Sequence, residues 1–255
     1  MKKGYLITGI IVVLVLILVF FFMPGNKTSN NSNNVIRVGC DAAFAPFEYV
    51  DAKTGEVIGF DPDLLRAIGE ELGMEVEVYN VAWDGIIPGL VSGNYDVIAS
   101  GMTITEERKQ TVNFSDPYIN AGQVIAVRNN ETEITSPEDL AGRKVAVQIS
   151  TTGHLEAEKI PGIAEIKKFN TSPDAFLEMT NGGVDAVVID LAVAAEQIKA
   201  NPGMYKMAGE PFTVEEYGLA LRKNDTELLA KINRALAAIK ENGKYQEIYD
   251  RYFND

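Results

Sequence analysis

One cysteine, one histidine and one tryptophan are all that these three residue types contribute to 255 residues. A single cysteine excludes a disulfide framework within the chain, and a single histidine beside it excludes a zinc cluster of the Cys/His kind. A Ser-His-Asp triad would have to be built on His154, which lies in STTGHLEAEK and reads as the exposed first turn of a helix. Positive charge is also scarce. The 23 Lys and Arg face 36 Asp and Glu, and a net charge of -13 argues against sequence-independent nucleic-acid binding, which needs clustered cations. The only basic run is Met1-Lys2-Lys3. No metal, cofactor or catalytic group is expected.

Apolar residues are plentiful at 46%, enough for a sizeable core. The longest uncharged stretch, Tyr5 to Met23, spans about 28 Å as a helix, close to the hydrocarbon thickness of a bilayer. Lys2 and Lys3 precede it, which keeps the N-terminus in the cytoplasm and sends the rest of the chain outside. No small-x-small cleavage site follows, so residues 1–23 are expected to be an uncleaved membrane anchor, a cleaved secretory segment being the alternative. Residues 24–34, PGNKTSNNSNN, lack apolar periodicity and read as a flexible linker reaching about 18 Å. It carries two glycosylation sequons, Asn26-Lys27-Thr28 and Asn30-Asn31-Ser32. Cys40 is too far from the apolar run for a lipid anchor and reads as a small residue ending a first strand, Val35 to Cys40.

Beyond Asn34 short strands alternate with helices, the mark of α/β construction with mostly parallel sheets. Further strands are expected at Val76 to Val81, Val97 to Ser100, Gln123 to Val127, Lys144 to Val147, Ala186 to Ile189 and Tyr217 to Leu221. Helix starts are marked by Asp61-Pro62-Asp63 and by Ser136-Pro137-Glu138-Asp139, each a capping residue before a proline. A third helix runs from near Asp225 and closes at Gly243. Inside this pattern GNYDVIA, from Gly93, is echoed by GGVDAVV, from Gly182. Five residues past each acid stand Gly101 and Asp190. Ligands of open α/β sheets bind beyond the carboxyl ends of strands, so two such units facing each other would form a cleft.

Several residues in those turns suit a zwitterion. GMTITEER places Arg108 in the first turn of a helix capped by Thr105, where a guanidinium and free N–H groups make an anion site. Ser150-Thr151-Thr152-Gly153 is a second such turn. Asp190 ends an apolar strand and needs a cation or a helix to cap, and both readings stay open. Phe44, Phe47 and Trp83 punctuate loops; Phe44 and Trp83 suit pocket walls, Phe47 the core.

DAAFAPFEYVDAKTGEVIGFDPDLLRAI, WDGIIPGL, DVIASGMTITEERKQTVNFSDPY and GGVDAVVID, in this order and spacing, resemble the family 3 extracellular solute-binding proteins of polar amino-acid ABC transporters. The resemblance covers Val35 to Asp255, with Pro62 standing where the family has an aliphatic residue. It implies a type II periplasmic-binding-protein fold, a Venus flytrap of two α/β lobes joined by two hinge strands. Residues 35–122 and 217–255 would form lobe 1 and residues 123–216 lobe 2. It further implies that Arg108, Thr103 and Thr152 hold an α-carboxylate, that Asp190 and the Gly101 carbonyl hold an α-ammonium, that Phe44 and Trp83 are walls, and that Asp41 reads the side chain. Gln148, where the glutamine-binding branch has lysine, aligns the chain with the arginine, lysine and histidine binders. The implied ligand is a basic or polar L-amino acid, arginine first, then lysine, histidine and glutamine. The implied partners are an ABC permease and the membrane through the N-terminal helix, with the protein itself a monomer at the extracytoplasmic face. Two rivals share the fold: a receptor's sensing domain, set lower because no output segment follows Asp255, and a cyclohexadienyl-dehydratase-like enzyme, which would need an acid in the cleft.

Overall fold

The computed structural model describes residues 34–254. The expected anchor at 1–23, the linker up to residue 33 and both sequons lie outside the described residues. Among the described residues no helix is long and apolar enough to cross a membrane.

Strand β1 (Val35–Cys40) is rich in β-branched residues, and Ile36, Val38 and Cys40 are buried. Three short antiparallel strands follow, β2 (Ala43–Phe44), β3 (Glu48–Val50) and β4 (Val57–Ile58). Helix α1 (Phe60–Leu72) turns back to β5 (Glu75–Asn80), which pairs parallel to β1 with Val35 opposite Glu75. Helix α2 (Ile86–Val91) leads to β6 (Val97–Ile98), also parallel to β1, and α3 (Glu106–Thr111) to β7 (Val112–Phe114). The chain leaves this sheet through β8 (Ile119–Ala121).

The second sheet begins with β9 (Gln123–Arg128) and continues with β10 (Lys144–Gln148), α4 (Thr152–Lys159), β11 (Glu165–Phe169) and α5 (Ser172–Thr180). It is completed by β12 (Ala186–Asp190), α6 (Leu191–Ala200) and β13 (Tyr205–Ala208). The return runs through β14 (Glu215–Tyr217), paired antiparallel with β8, into β15 (Ala220–Arg222), then α7 (Thr226–Glu241) and α8 (Lys244–Phe253). The two five-stranded sheets have matching plans, β5-β1-β6-β15-β7 and β11-β10-β12-β9-β13, each with its first three strands parallel and its fourth antiparallel to both neighbours.

The sequence echo is reproduced atom by atom. Gly93 and Gly182 both turn at positive φ, 81° and 77°, which glycine adopts without cost. Asp96 then accepts the Arg37 N–H at 3.2 Å and Asp185 the Lys144 N–H at 2.8 Å, each pinning the start of the neighbouring strand. β6 and β12 therefore occupy the same place in their sheets, and Gly101 and Asp190 follow at corresponding ends.

Four local expectations are corrected. Tyr217 to Leu221 is not one strand: β14 ends at Tyr217 and β15 starts at Ala220, because a Cβ at Gly218 would meet Ile104 and Phe114 and the chain changes sheets there. Ser136 caps only a single 3-10 turn, Pro137–Leu140, through a capping box with Asp139. Asp61 caps nothing: α1 starts at Phe60 after Gly59, whose φ of 135° and close approach to the Phe47 carbonyl admit no side chain, and Asp61 is fully buried. His154 is buried as well. Its Nδ1 accepts the Ser150 N–H at 3.2 Å and its Nε2 lies 2.9 Å from Glu158.

Candidate functional site

A narrow pocket lies where the carboxyl ends of strands from the two sheets face each other. From the first half it is lined by Asp41 just past β1, Phe44 on β2, Trp83 in the turn before α2, Ser100, Gly101 and Thr103 past β6, and Arg108 on α3. From the second half come Gln148 at the end of β10, Thr151 and Thr152 at the start of α4, and Asp190 at the end of β12. All nine residues singled out in the sequence thus border one cavity.

Arg108 is placed by the Thr105 cap, whose hydroxyl accepts the Arg108 N–H at 3.1 Å. Its guanidinium donates to the Thr103 carbonyl at 2.8 Å and reaches the Ser150 carbonyl at 3.5 Å, while stacking 5.2 Å from the Trp83 ring. That uses two of five N–H donors and leaves a fork for an anion. Burial lowers its pKa, opposed by the nearby Asp190 and Glu215 carboxylates.

Asp190 stands at the N-cap position of α6, yet its side chain makes no cap hydrogen bond. Instead Oδ1 accepts from Gln123 Nε2 at 2.8 Å and from the Tyr217 hydroxyl at 2.6 Å. Burial pushes its carboxyl up to about 7, with Glu215 adding to the rise and Tyr217, Gln123 and Arg108 opposing it. Both donors are neutral, so this buried acid lacks a full countercharge, and a ligand cation would supply one.

Asp41 also lines the pocket. Burial raises its carboxyl to about 6; the hydrogen bond from Gln148 opposes this and Asp84 adds to it. Gln148 donates across the cleft to Asp41 Oδ2 at 2.7 Å and also to the Asn170 carbonyl at 3.0 Å. Ser172 likewise bridges the halves, donating to the Ala43 carbonyl at 2.9 Å. Phe44, stacked 5.9 Å from Phe47, forms a wall against Gly101; a Cβ there would lie 2.8 Å from Phe44. Gly101 also has a φ of 47°, so glycine is required twice over.

Two residues that sequence reasoning missed tie the cavity to the crossover strands. Glu215 on β14 accepts from the hydroxyls of Thr103 at 2.7 Å and Thr152 at 2.9 Å, one from each half, and from Thr213 at 3.0 Å. Gln123 on β9 reaches Thr152 at 3.1 Å as well as Asp190. Their only signal was position: each adjoins a crossing between the sheets. Each threonine hydroxyl has one proton, here given to Glu215, so what remains for an anion is backbone N–H. Thr103 pairs with Tyr217 through its flanking residues, Ile104 N–H to the Glu216 carbonyl and Gly218 N–H to the Met102 carbonyl. The N–H groups of Thr103 and Thr152 find no acceptor among the described residues. Among those residues no three His, Cys, Asp or Glu side chains are grouped as metal ligands would be.

Comparison with known proteins follows the same outline. The family model described as bacterial extracellular solute-binding proteins, family 3, matches residues 36–255. A "Probable histidine-binding protein" of Neisseria gonorrhoeae is 40% identical over 228 residues, covering 88% of this chain and 84% of its own. The structure of an ancestral arginine-binding protein bound to glutamine is 47% identical with a TM-score of 0.84, covering 87% of this chain and 99% of that one. The arginine-, lysine-, histidine-binding protein ArtJ from the thermophilic bacterium Geobacillus stearothermophilus is 44% identical with a TM-score of 0.80, covering 86% of this chain and 95% of that one.

Proposed function

This chain belongs to the bacterial extracellular solute-binding proteins, family 3, and from that premise we propose that it is the binding component of an amino-acid ABC importer, taking a basic or polar L-amino acid into its cleft. The observation that carries the reading is the presence of Arg108 and Asp190, from opposite halves, on one pocket. A free amino acid has one anionic and one cationic end, and burying both is tolerable only if each meets a partner.

In this reading the α-carboxylate is held by the Arg108 fork and the free N–H groups of Thr103 and Thr152. The α-ammonium is held by Asp190 and the Gly101 carbonyl. The side chain runs between Phe44 and Trp83 toward Asp41 and Gln148. An anionic Asp41 with an amide neighbour, and no lysine among the cavity-lining residues, favours a cationic or amide head and rejects glutamate. That ranks arginine first, then lysine, histidine and glutamine. The relatives bind histidine, arginine, lysine and glutamine by their names and titles, which supports the same range.

The ligand docks on the first half, and the second half closes over it by bending at β8 and β14; the permease reads the closed form. The crossings at 119–123 and 213–217 divide the chain into lobes at 35–122 plus 217–255 and at 123–216. The protein works extracytoplasmically as a monomer, tethered by its N-terminal segment, and carries out no chemistry on its ligand. A thermal-shift panel of the common amino acids tests the reading. Arginine at about a thousandfold excess over its dissociation constant should stabilise the protein by about 4 kcal/mol. A panel in which no amino acid raises the melting temperature would refute it.

A further inference from the structure

We propose that Glu48 and Asp61 share a single proton beneath the cleft, and that this buried carboxyl pair positions Asp41 and Gly101 for the ligand. Both side chains are fully buried, they are bonded by adjacent residues, Glu48 by Ser100 and Asp61 by Gly101, and each acts electrostatically on the other. Asp61 comes from the first turn of α1, where it caps nothing, and Glu48 from β3.

Three hydrogen bonds anchor the pair, and two of them come from residues that line the site, Ser100 and Gly101. Asp61 Oδ2 accepts the Gly101 N–H at 2.8 Å and the Tyr118 hydroxyl at 2.8 Å. Glu48 Oε1 accepts from Ser100 Oγ at 2.8 Å, and Ser100 Oγ in turn accepts the Asp41 N–H at 2.9 Å. The remaining two oxygens, Glu48 Oε2 and Asp61 Oδ1, are buried and have no hydrogen-bond donor among the described residues. Two ionised carboxylates would leave both oxygens unpaired and two like charges adjacent in a low-dielectric interior. One proton on Glu48 repairs both faults: its O–H donates to Asp61, and the pair carries one negative charge.

The titratable groups acting on the pair are Cys40 and Asp41 at the end of β1, Tyr118 before β8 and Tyr217 on β14. Among the described residues no lysine or arginine hydrogen-bonds to either carboxyl. Burial accordingly drives both carboxyls up.

Neither residue touches the cavity, so each is a positioning residue acting through Gly101, Ser100 and Asp41. This role rests on the amino-acid reading above; the shared proton does not. Glu48→Gln is the informative change, because an amide keeps the acceptor for Ser100 and the donor for Asp61 while removing the titration.

The test is the infrared difference between the ligand-free parent and Glu48→Gln in D2O at pH about 8, where Asp41 and Asp190 are largely ionised. A protonated-carboxyl C=O band present in the parent and absent in the variant is expected. Its absence from the parent would overturn the proposal and point to solvent or a cation between two carboxylates. The positioning role is read with L-arginine as probe. Glu48→Gln should bind within about threefold of the parent at pH about 7, and more tightly than the parent as pH rises toward about 10, whereas Glu48→Ala should lose about tenfold or more. Equal binding by all three proteins would remove the positioning role even with the band present. Failure of the parent to bind L-arginine while showing the band would sink the amino-acid reading and leave the shared proton standing.

Discussion

Acidifying the solution should dismantle binding in two steps, because the two carboxylates assigned to the ligand's cations titrate close to neutrality. Burial raises Asp190 to about 7 and Asp41 to about 6, and both must be ionised to meet a doubly cationic ligand such as L-arginine. At pH 8 both are largely ionised; at pH 5 the ionised fractions are about 0.01 and about 0.1. Affinity for L-arginine should therefore fall by about a thousandfold between pH 8 and 5, equivalent to about 4 kcal/mol. L-glutamine has no side-chain charge for Asp41 to match, so its fall should be nearer a hundredfold. Near pH 6.5, L-arginine binding should release about one proton, measurable by titration calorimetry in buffers of different ionisation enthalpy. The ligand-free protein should show the opposite trend in stability. A carboxyl whose folded pKa lies above its ordinary 3.8 favours folding below that value and loses this contribution as pH rises through 6 for Asp41 and 7 for Asp190. Its melting temperature should be higher near pH 5 than near pH 8. An arginine affinity equal within threefold at pH 5 and 8, with no proton exchanged, would refute the placement of these carboxylates against ligand cations.

Arg108→Ala should leave the α-carboxylate uncompensated and cost about 3 to 5 kcal/mol, or two to four decades of affinity by calorimetry; a loss under threefold would contradict its role. Gly101→Ala should weaken both folding and binding, since the new Cβ meets Phe44 at 2.8 Å on a backbone with φ of 47°, and a parent-like melting curve would count against that geometry. Glu215→Gln keeps the shape but replaces a carboxylate that draws hydroxyls from both halves with an amide. Small-angle scattering of the ligand-free variant should show a larger radius of gyration than the parent, and an unchanged profile would mean that Glu215 does not hold the halves together.

Legibility followed chemistry. Of the nine predicted pocket residues, Gly101, Arg108, Thr152 and Asp190 were readable as turns after strands, helix starts and an acid ending an apolar strand, and Phe44 and Trp83 as loop aromatics, whereas Asp41, Thr103 and Gln148 came only from the family resemblance of the ordered motifs. The echo was readable for the same reason, a glycine turn and an acid before an apolar strand. Glu215 and Gln123 were not, because their importance comes from two chain crossings that meet only in space. Asp61 misled: Asp-Pro is a common helix start, but here Gly59 makes the turn because the Phe47 carbonyl leaves no room for a side chain, and the acid is turned inward to Glu48 and Gly101. His154 misled in the same way, since nothing local reveals that the first turn of α4 is covered.

The central claim is that a guanidinium and an aspartate from facing halves neutralise the two ends of one amino acid. A crystal structure with L-arginine bound tests it most directly. The α-carboxylate is expected in a forked contact with Arg108 and the α-ammonium within hydrogen-bond distance of Asp190, inside the pocket that Asp41 and Trp83 also line. An arginine bound in the reverse sense, or outside this cavity, would contradict it.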